Sequence, residues 1–409
     1  MPINFSPNQW DKIKKDYEAW WNGELDRPLI HDVRRNVVDP SVPKPSTPLL
    51  SQQTVTDLSI PAKDLIERWD YELSTYEFVA DAFPHLNLDC FGPGVVAAFC
   101  GATLDNSAGS VWFHPPADVP IKDLNLEFDP NNKWFLRIKE ICQAANEFWQ
   151  GQVLVGMPDL GGTLDILATF RTSEGLLFDL YDEPEEVKRL TAQIQEMWYR
   201  AYDEINEILQ PVNPGYGDWG RIYSAKPQYI LQSDFAFMIS NDMFKEFALP
   251  TIKYDTERLD RAVFHLDGMG MLPHLDDLLS LPGMDCIQWC HGAGNRNECC
   301  ADWPDVHKQV LGAGKKSDIF IADLTGARHN VMVEVGYALR HVELGRMLFY
   351  FQECSDYDKP PFDLNGFKYH QISDSNEIRN EPGIKGDLIT ILNEIKSGIA
   401  TQRSFRGGV

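Results

Sequence analysis

Short apolar runs alternate with longer amphipathic stretches along most of this chain. The runs Pro28–Val33, Leu86–Cys90, Val153–Met157, Tyr229–Gln232, Val263–Leu266 and Cys286–Trp289 predict strands. Between them, Ala62–Ala80 carries Leu65, Trp69, Leu73, Tyr76 and Val79 at helical spacing, and Trp134–Trp149 and Glu183–Leu209 read as further helices. Pro184 stands near the start of the last of these, where a missing amide donor costs little. The alternation continues beyond Gly314–Ser317. There Ile319–Ala322 and Met347–Phe351 predict two more strands, with Asn330–Glu343 and Lys385–Ile399 as helices. A βα alternation without tandem hairpins predicts a parallel sheet. Eight such strands, with polar or Gly-rich residues at their C-terminal ends, favour a closed (β/α)8 barrel whose pocket lies at those ends.

A chain of 409 residues accommodates one large barrel with an appendage or two ordinary domains. Its net charge of −24 argues against a nucleic-acid partner or an anionic membrane, since both require clustered Lys and Arg. No apolar run approaches the roughly 20 residues that span a bilayer. The N-terminal stretch MPINFSPNQWDKIKKDYEAWW lacks a secretory apolar core and reads as an amphipathic helix. Eight cysteines in this length form no disulfide framework, which points to reduced thiols and a cytoplasmic location.

Five segments occur in order: RPLIHDVRRN, LNLDCFGPGVVAAFCGA, VLVGMPDLGGTLDIL, SDFAFMISNDMFKEFALP and FHLDG followed by GMDCIQW. Together they resemble the uroporphyrinogen decarboxylase superfamily over about Trp20 to Lys315. The resemblance implies a TIM-type (β/α)8 barrel and one of two chemistries. Tetrapyrrole decarboxylation needs no cofactor and would use Asp89 on the pyrrole nitrogens, with Arg34 and Arg35 as anchors. The Tyr and Ser positions of that branch are Leu167 and Asp234 here, and its late Gly-His-Gly is missing. The second chemistry is methyl transfer at zinc, with a methyl donor and a corrinoid protein or thiol acceptor as partners. That branch places His-x-Cys on its fifth strand; this chain has His265-Leu266-Asp267. Alternation puts His265 and Asp267 on one strand face, as two ligands from one strand require. Cys354, after the eighth predicted strand, is the candidate third ligand, with Cys290 and His291 as further candidates. Asp89, Asp234 and His265 are the catalytic candidates. Asp159, Trp219 and Arg221, in the Gly-rich turns PDLGG and GYGDWGR, are expected at the mouth with Arg34 and Arg35 to bind substrate. His274 is expected to be a surface or packing residue, and Cys299-Cys300 to lie in a loop.

The run SDIFIADLTGARHNVMVEVGYA breaks with what precedes it. It resembles the second half of the TIR-like and nucleoside deoxyribosyltransferase-like fold, through Ala322-Asp323-Leu324-Thr325, Asn330-Val331 and Glu334-x-Gly336-Tyr337-Ala338. In that family the strand-end Asp and the helix Glu face a nucleotide, which makes Asp323 and Glu334 candidate nucleotide-binding residues. The chain therefore divides into 1–316, barrel-like, and 317–409, a partial α/β segment. The upstream half of the nucleotide fold is missing, and the barrel lacks its last two βα units. The later segment can close the barrel as strands seven and eight, removing two exposed edges, or stand as a separate domain, leaving a non-catalytic or nucleotide-binding fusion.

Overall fold

The computed structural model describes residues 3–290, apart from Pro28 and Ser41, together with strands at 320–323 and 347–352. The expected N-terminal helix forms over Pro7–Trp21 and starts on a capping box, in which Ser6 and Gln9 satisfy each other's backbone N–H groups. Its inner face buries Trp10, Ile13, Tyr17, Trp20 and Trp21. The indoles of Trp10 and Trp21 donate to the carbonyls of Gln152 and Tyr223, both at 2.9 Å, and so bolt the helix to distant parts of the chain.

Eleven strands follow among the described residues: β1 (Leu29–Arg34), β2 (Glu77–Ala80), β3 (His85–Leu86), β4 (Thr103–Asp105), β5 (Trp112–His114), β6 (Leu154–Val155), β7 (Gln228–Leu231), β8 (Arg261–Asp267), β9 (Cys286–Cys290), β10 (Phe320–Asp323) and β11 (Met347–Gln352). All eight predicted strands are among them. The main sheet runs β2-β1-β11-β10-β9-β8-β7, every pairing parallel except β1 with β2. A second parallel pair joins β3 to β6. Beyond that ladder, the Met157 N–H donates to the Gly217 carbonyl at 2.8 Å, continuing the bonding past the end of β6. The late segment is interleaved with the early one: β10 pairs with β9, and β11 pairs with β1.

Three local expectations fail. The helix expected over Ala62–Ala80 stops at Ser74, and its last residues become β2, antiparallel to β1. Tyr76, Phe78 and Val79 suit a strand as well as a helix, so their spacing alone does not discriminate. The strand expected over Leu86–Cys90 is only two residues long before the chain turns at Asp89–Phe91. A hairpin also exists after all, β4 with β5, standing outside the main sheet. The predicted helices appear as Lys133–Trp149 and Pro184–Leu209. The helices expected at Asn330–Glu343 and Lys385–Ile399 lie outside the described residues.

Every residue of β7 is buried, as in a parallel strand covered on both faces. Cys90, Cys100 and Cys142 are buried, and burial pushes the Cys100 and Cys142 thiols up to about 12, the behaviour of small apolar side chains. Among the described residues no helix is long and apolar enough to cross a membrane.

Candidate active site at the strand ends

Parallel strands place their C-terminal ends on one side of a sheet, and the candidate residues gather there. Asp267 ends β8, Asp234 follows β7 by three residues, Asp159 follows β6 by four and Asp89 follows β3 by three. One oxygen each from Asp234 and Asp267 and one ring nitrogen of His265 lie within 4.8 Å of one another. His265 and Asp267 are half-buried, and Asp234 is open to solvent. Two ligands on one zinc ion, each at about 2.1 Å, sit no more than about 4.2 Å apart. A rotamer adjustment of under about an ångström therefore lets the trio hold a divalent ion. One imidazole and two carboxylates suit zinc or a harder ion and make the site less thiophilic than a thiolate set.

The neighbouring strand orients the histidine. Gln288 of β9 stands directly opposite His265 in the register, and its Oε1 lies 2.9 Å from His265 Nδ1. With Nδ1 donating to that oxygen, Nε2 keeps its lone pair for a ligand. The Trp219 ring meets the imidazole edge-to-face at 5.3 Å and walls the other side.

Asp159 and Asp165 extend the carboxylate group. Asp159 Oδ1 accepts from Gln232 Nε2 at 3.1 Å and from the Gly161 N–H at 3.0 Å. The turn carrying it is bolted from behind: the Trp198 indole donates to the Gly161 carbonyl, and the Tyr229 hydroxyl accepts from the Leu160 N–H. Gly161 sits at φ +85, where a Cβ would meet the Gly94 Cα at 2.4 Å, so two backbones touch and only glycine fits. Burial, then the negative Asp234, push the Asp159 carboxyl up to about 8, so it keeps its proton at neutral pH. The same two causes raise Asp165 to about 7. Asp234 has an exposed edge, but crowding protein atoms raise its carboxyl above the usual range; His265 pulls it down and Asp267 pushes it up.

A second cluster lies beside the first. Asp218, fully buried, accepts from the N–H groups of Gly220 and Ile230 and from Gln228 Nε2, shaping the turn that presents Trp219 and Arg221. Arg221 has the left-handed φ of +58 that a non-glycine residue rarely adopts. Its charge favours the ionised form of Asp89, whose carboxyl burial raises. The Arg35 guanidinium lies 5.5 Å from the centre of the Tyr76 ring. Arg34 is engaged by Asp32 at 3.2 Å and Glu77 at 3.4 Å, so the pair of arginine anchors expected for tetrapyrrole carboxylates is half committed to the protein itself.

The structure thus brings Asp234, His265 and Asp267 together, with Asp159 and Trp219 beside them and Asp89 and Arg221 in the adjoining cluster. Asp234, expected as a catalytic residue, stands with the expected ligand pair. Cys354, His291, Cys299-Cys300 and Glu334 lie outside the described residues, and Asp323 ends β10. Of the two expectations for His274, packing is the one met: it is fully buried, at the end of a 3-10 turn rather than on an amphipathic helix. Sequence reasoning missed Gln288, Asp165 and Asp218. Alternation on neighbouring parallel strands could have suggested Gln288 once β8 and β9 were paired; the other two carry no local signal.

No protein-family model and no curated protein sequence matches the chain. Among solved structures, a methyltransferase from Methanosarcina mazei is similar to it with a TM-score of 0.50 and 11% identity, over 83% of this chain and 93% of that one. At that identity the likeness speaks for the fold alone.

Proposed function

We propose that this chain is a closed (β/α)8-barrel enzyme that transfers a methyl group to an acceptor thiol at a zinc site formed by Asp234, His265 and Asp267. Barrel closure is supported by β10 and β11 standing hydrogen-bonded between β9 and β1. The observation that carries the function is the convergence of imidazole and two carboxylates at adjacent strand ends, with Gln288 setting the histidine tautomer. The methyltransferase likeness in fold is consistent with it.

A bound divalent ion supplies Lewis acidity, which lowers the pKa of an acceptor thiol. The protein's own groups do the rest. Asp234, His265 and Asp267 would hold such an ion and would leave it able to take the acceptor thiol. Trp219 packs edge-to-face against the His265 ring. The thiol proton leaves as the thiolate forms. Sulfur then takes the methyl group while the methyl–donor bond breaks and its electron pair stays with the donor. Asp159, which keeps its proton at neutral pH, can supply that proton to the departing group. The methyl donor belongs to the same reading: a methylated small molecule, or a methyl-corrinoid delivered by a partner protein.

Metal analysis of the purified protein is the test. Stoichiometric zinc that disappears in His265→Ala supports the reading, and metal-free wild type rejects it. Conversion of uroporphyrinogen to coproporphyrinogen by metal-free protein would put decarboxylation in its place.

A further inference from the structure

Asp234 reaches the site from a short 3-10 turn, Asp234–Met238, rather than from a strand, so something must fix that turn. Two side chains from other elements grip it. The Asp165 carboxylate accepts from the backbone N–H groups of Asp234 at 3.1 Å and Phe235 at 2.6 Å. Asp165 is itself fixed in the first turn of helix Thr163–Arg171. The helix entrance at Gly162 has no room to shift: a Cβ there would lie 2.3 Å from the Gln232 carbonyl oxygen and 2.4 Å from Asp165 Oδ2. On the other side, His274 Nε2 lies 3.1 Å from the Ala236 carbonyl oxygen, to which it donates. The His274 ring is fully buried, stacked on Phe244 at 4.2 Å, with Nδ1 3.0 Å from the Asn241 side chain.

His274 also closes a loop of causes. The chain leaves β8 at Asp267 and turns through Met269–His274. It then takes hold of the turn that bears Asp234. One carboxylate of the trio follows β7 and the other ends β8, and His274 ties the loop after β8 to the turn after β7.

We infer that Asp165 and His274 are positioning residues that set the Asp234 carboxylate against His265 and Asp267, and so control ion affinity without touching the ion. The inference rests on the metal-site reading above. It assigns a job to two polar groups, half-buried Asp165 and buried His274, that the proposed reaction leaves unused. Removal of a partner behind a metal ligand typically weakens binding by about 10- to 100-fold.

Zinc affinity, measured by competition with a chromophoric chelator well below the melting temperature, tests it. Asp165→Asn and His274→Leu are each expected to weaken binding by about 10-fold or more, whereas His274→Gln, which retains a donor toward Ala236, stays near wild type. In an Asp234→Ala background, Asp165→Asn is expected to change affinity by less than about twofold, because its effect passes through Asp234. An equal loss in both backgrounds, or no loss in either single variant, overturns the assignment. Wild type that binds zinc through His265 yet ignores both substitutions defeats the clamp alone. Wild type that binds no zinc defeats the metal site and the clamp together.

Discussion

Asp255 offers a test of the electrostatics in which the sign is decisive. It lies on helix Leu249–Arg258, and its Oδ1 accepts from Gln195 Nε2 at 2.8 Å and from the Tyr199 hydroxyl at 2.9 Å. Burial raises its carboxyl to about 7, against the pull of those two hydrogen bonds and of Arg258. An unfolded chain would titrate it near 3.9. The native state therefore keeps a proton that the unfolded state has released between about pH 4 and pH 7. The associated stability is fully present below about pH 4 and is lost as pH rises through 7. Three pKa units correspond to a ceiling of about 4 kcal/mol. The carboxyl borders a cavity of about 20 Å³ shared with Thr163, Gln195 and Thr251, large enough for one water that would reduce this figure, so about 2–3 kcal/mol is expected. Asp255→Asn keeps an oxygen for both donors and cannot ionise. Urea unfolding should show the variant exceeding wild type by no more than about 1 kcal/mol near pH 4.5 and by about 2–3 kcal/mol at pH 8. A difference that stays flat with pH, or a wild type that gains on the variant as pH rises, would refute the reasoning.

Gln288→Leu removes the acceptor that holds the proton of His265 on Nδ1, and zinc affinity should fall about 10-fold while the unfolding midpoint barely moves. Fully buried Asp81, bound by Lys12, Arg27 and the Ile30 N–H, ties the N-terminal helix to β1. Despite its burial, hydrogen bonds from Arg27 and Lys12 hold its carboxyl below the usual range, so its contribution is present above about pH 4 and is lost on acidification. Asp81→Ala should cost roughly 2–4 kcal/mol at pH 7 by urea unfolding, somewhat below the buried-pair range of about 3–5 kcal/mol because both cations are partly exposed. Truncation after Lys316 removes β10 and β11 and bares the edges of β1 and β9; an insoluble or non-cooperative product is expected, and a soluble 1–316 with a sharp melt would contradict the pairing.

Eight of the eleven described strands were legible because each is a short apolar run bounded by turn residues; β2, β4 and β5 were not. What the runs do not carry is the choice between periods in a short stretch, which is why residues 77–80 were expected to be helical. His265 and Asp267 could be paired from alternation on one strand. Asp234 could not be joined to them, since about 30 residues intervene and only the β7–β8 ladder, with Leu231 opposite Phe264, brings the two strand ends side by side. Asp165 and His274 were illegible for a related reason: their partners are backbone groups of a distant turn, and nothing in the neighbouring sequence announces them. The covalent order of the late segment was readable, whereas its place between β9 and β1 required a count of strands rather than a motif.

The pairing of β11 with β1 has a consequence for synthesis. Leu29 meets Leu348 across a gap of more than 300 residues. At a ribosomal pace of about 5–20 residues per second, β1 waits roughly 15–60 s for its neighbour to emerge. During that interval one edge of β1 is covered by β2, while the other presents unsatisfied amides to the cell. Contacts so distant in sequence also slow the final closure, since a long loop must be drawn in before they reward it. The nascent chain is thus most vulnerable to aggregation late in its birth, and the yield of folded protein should depend on chaperones that shield that edge until the last quarter arrives.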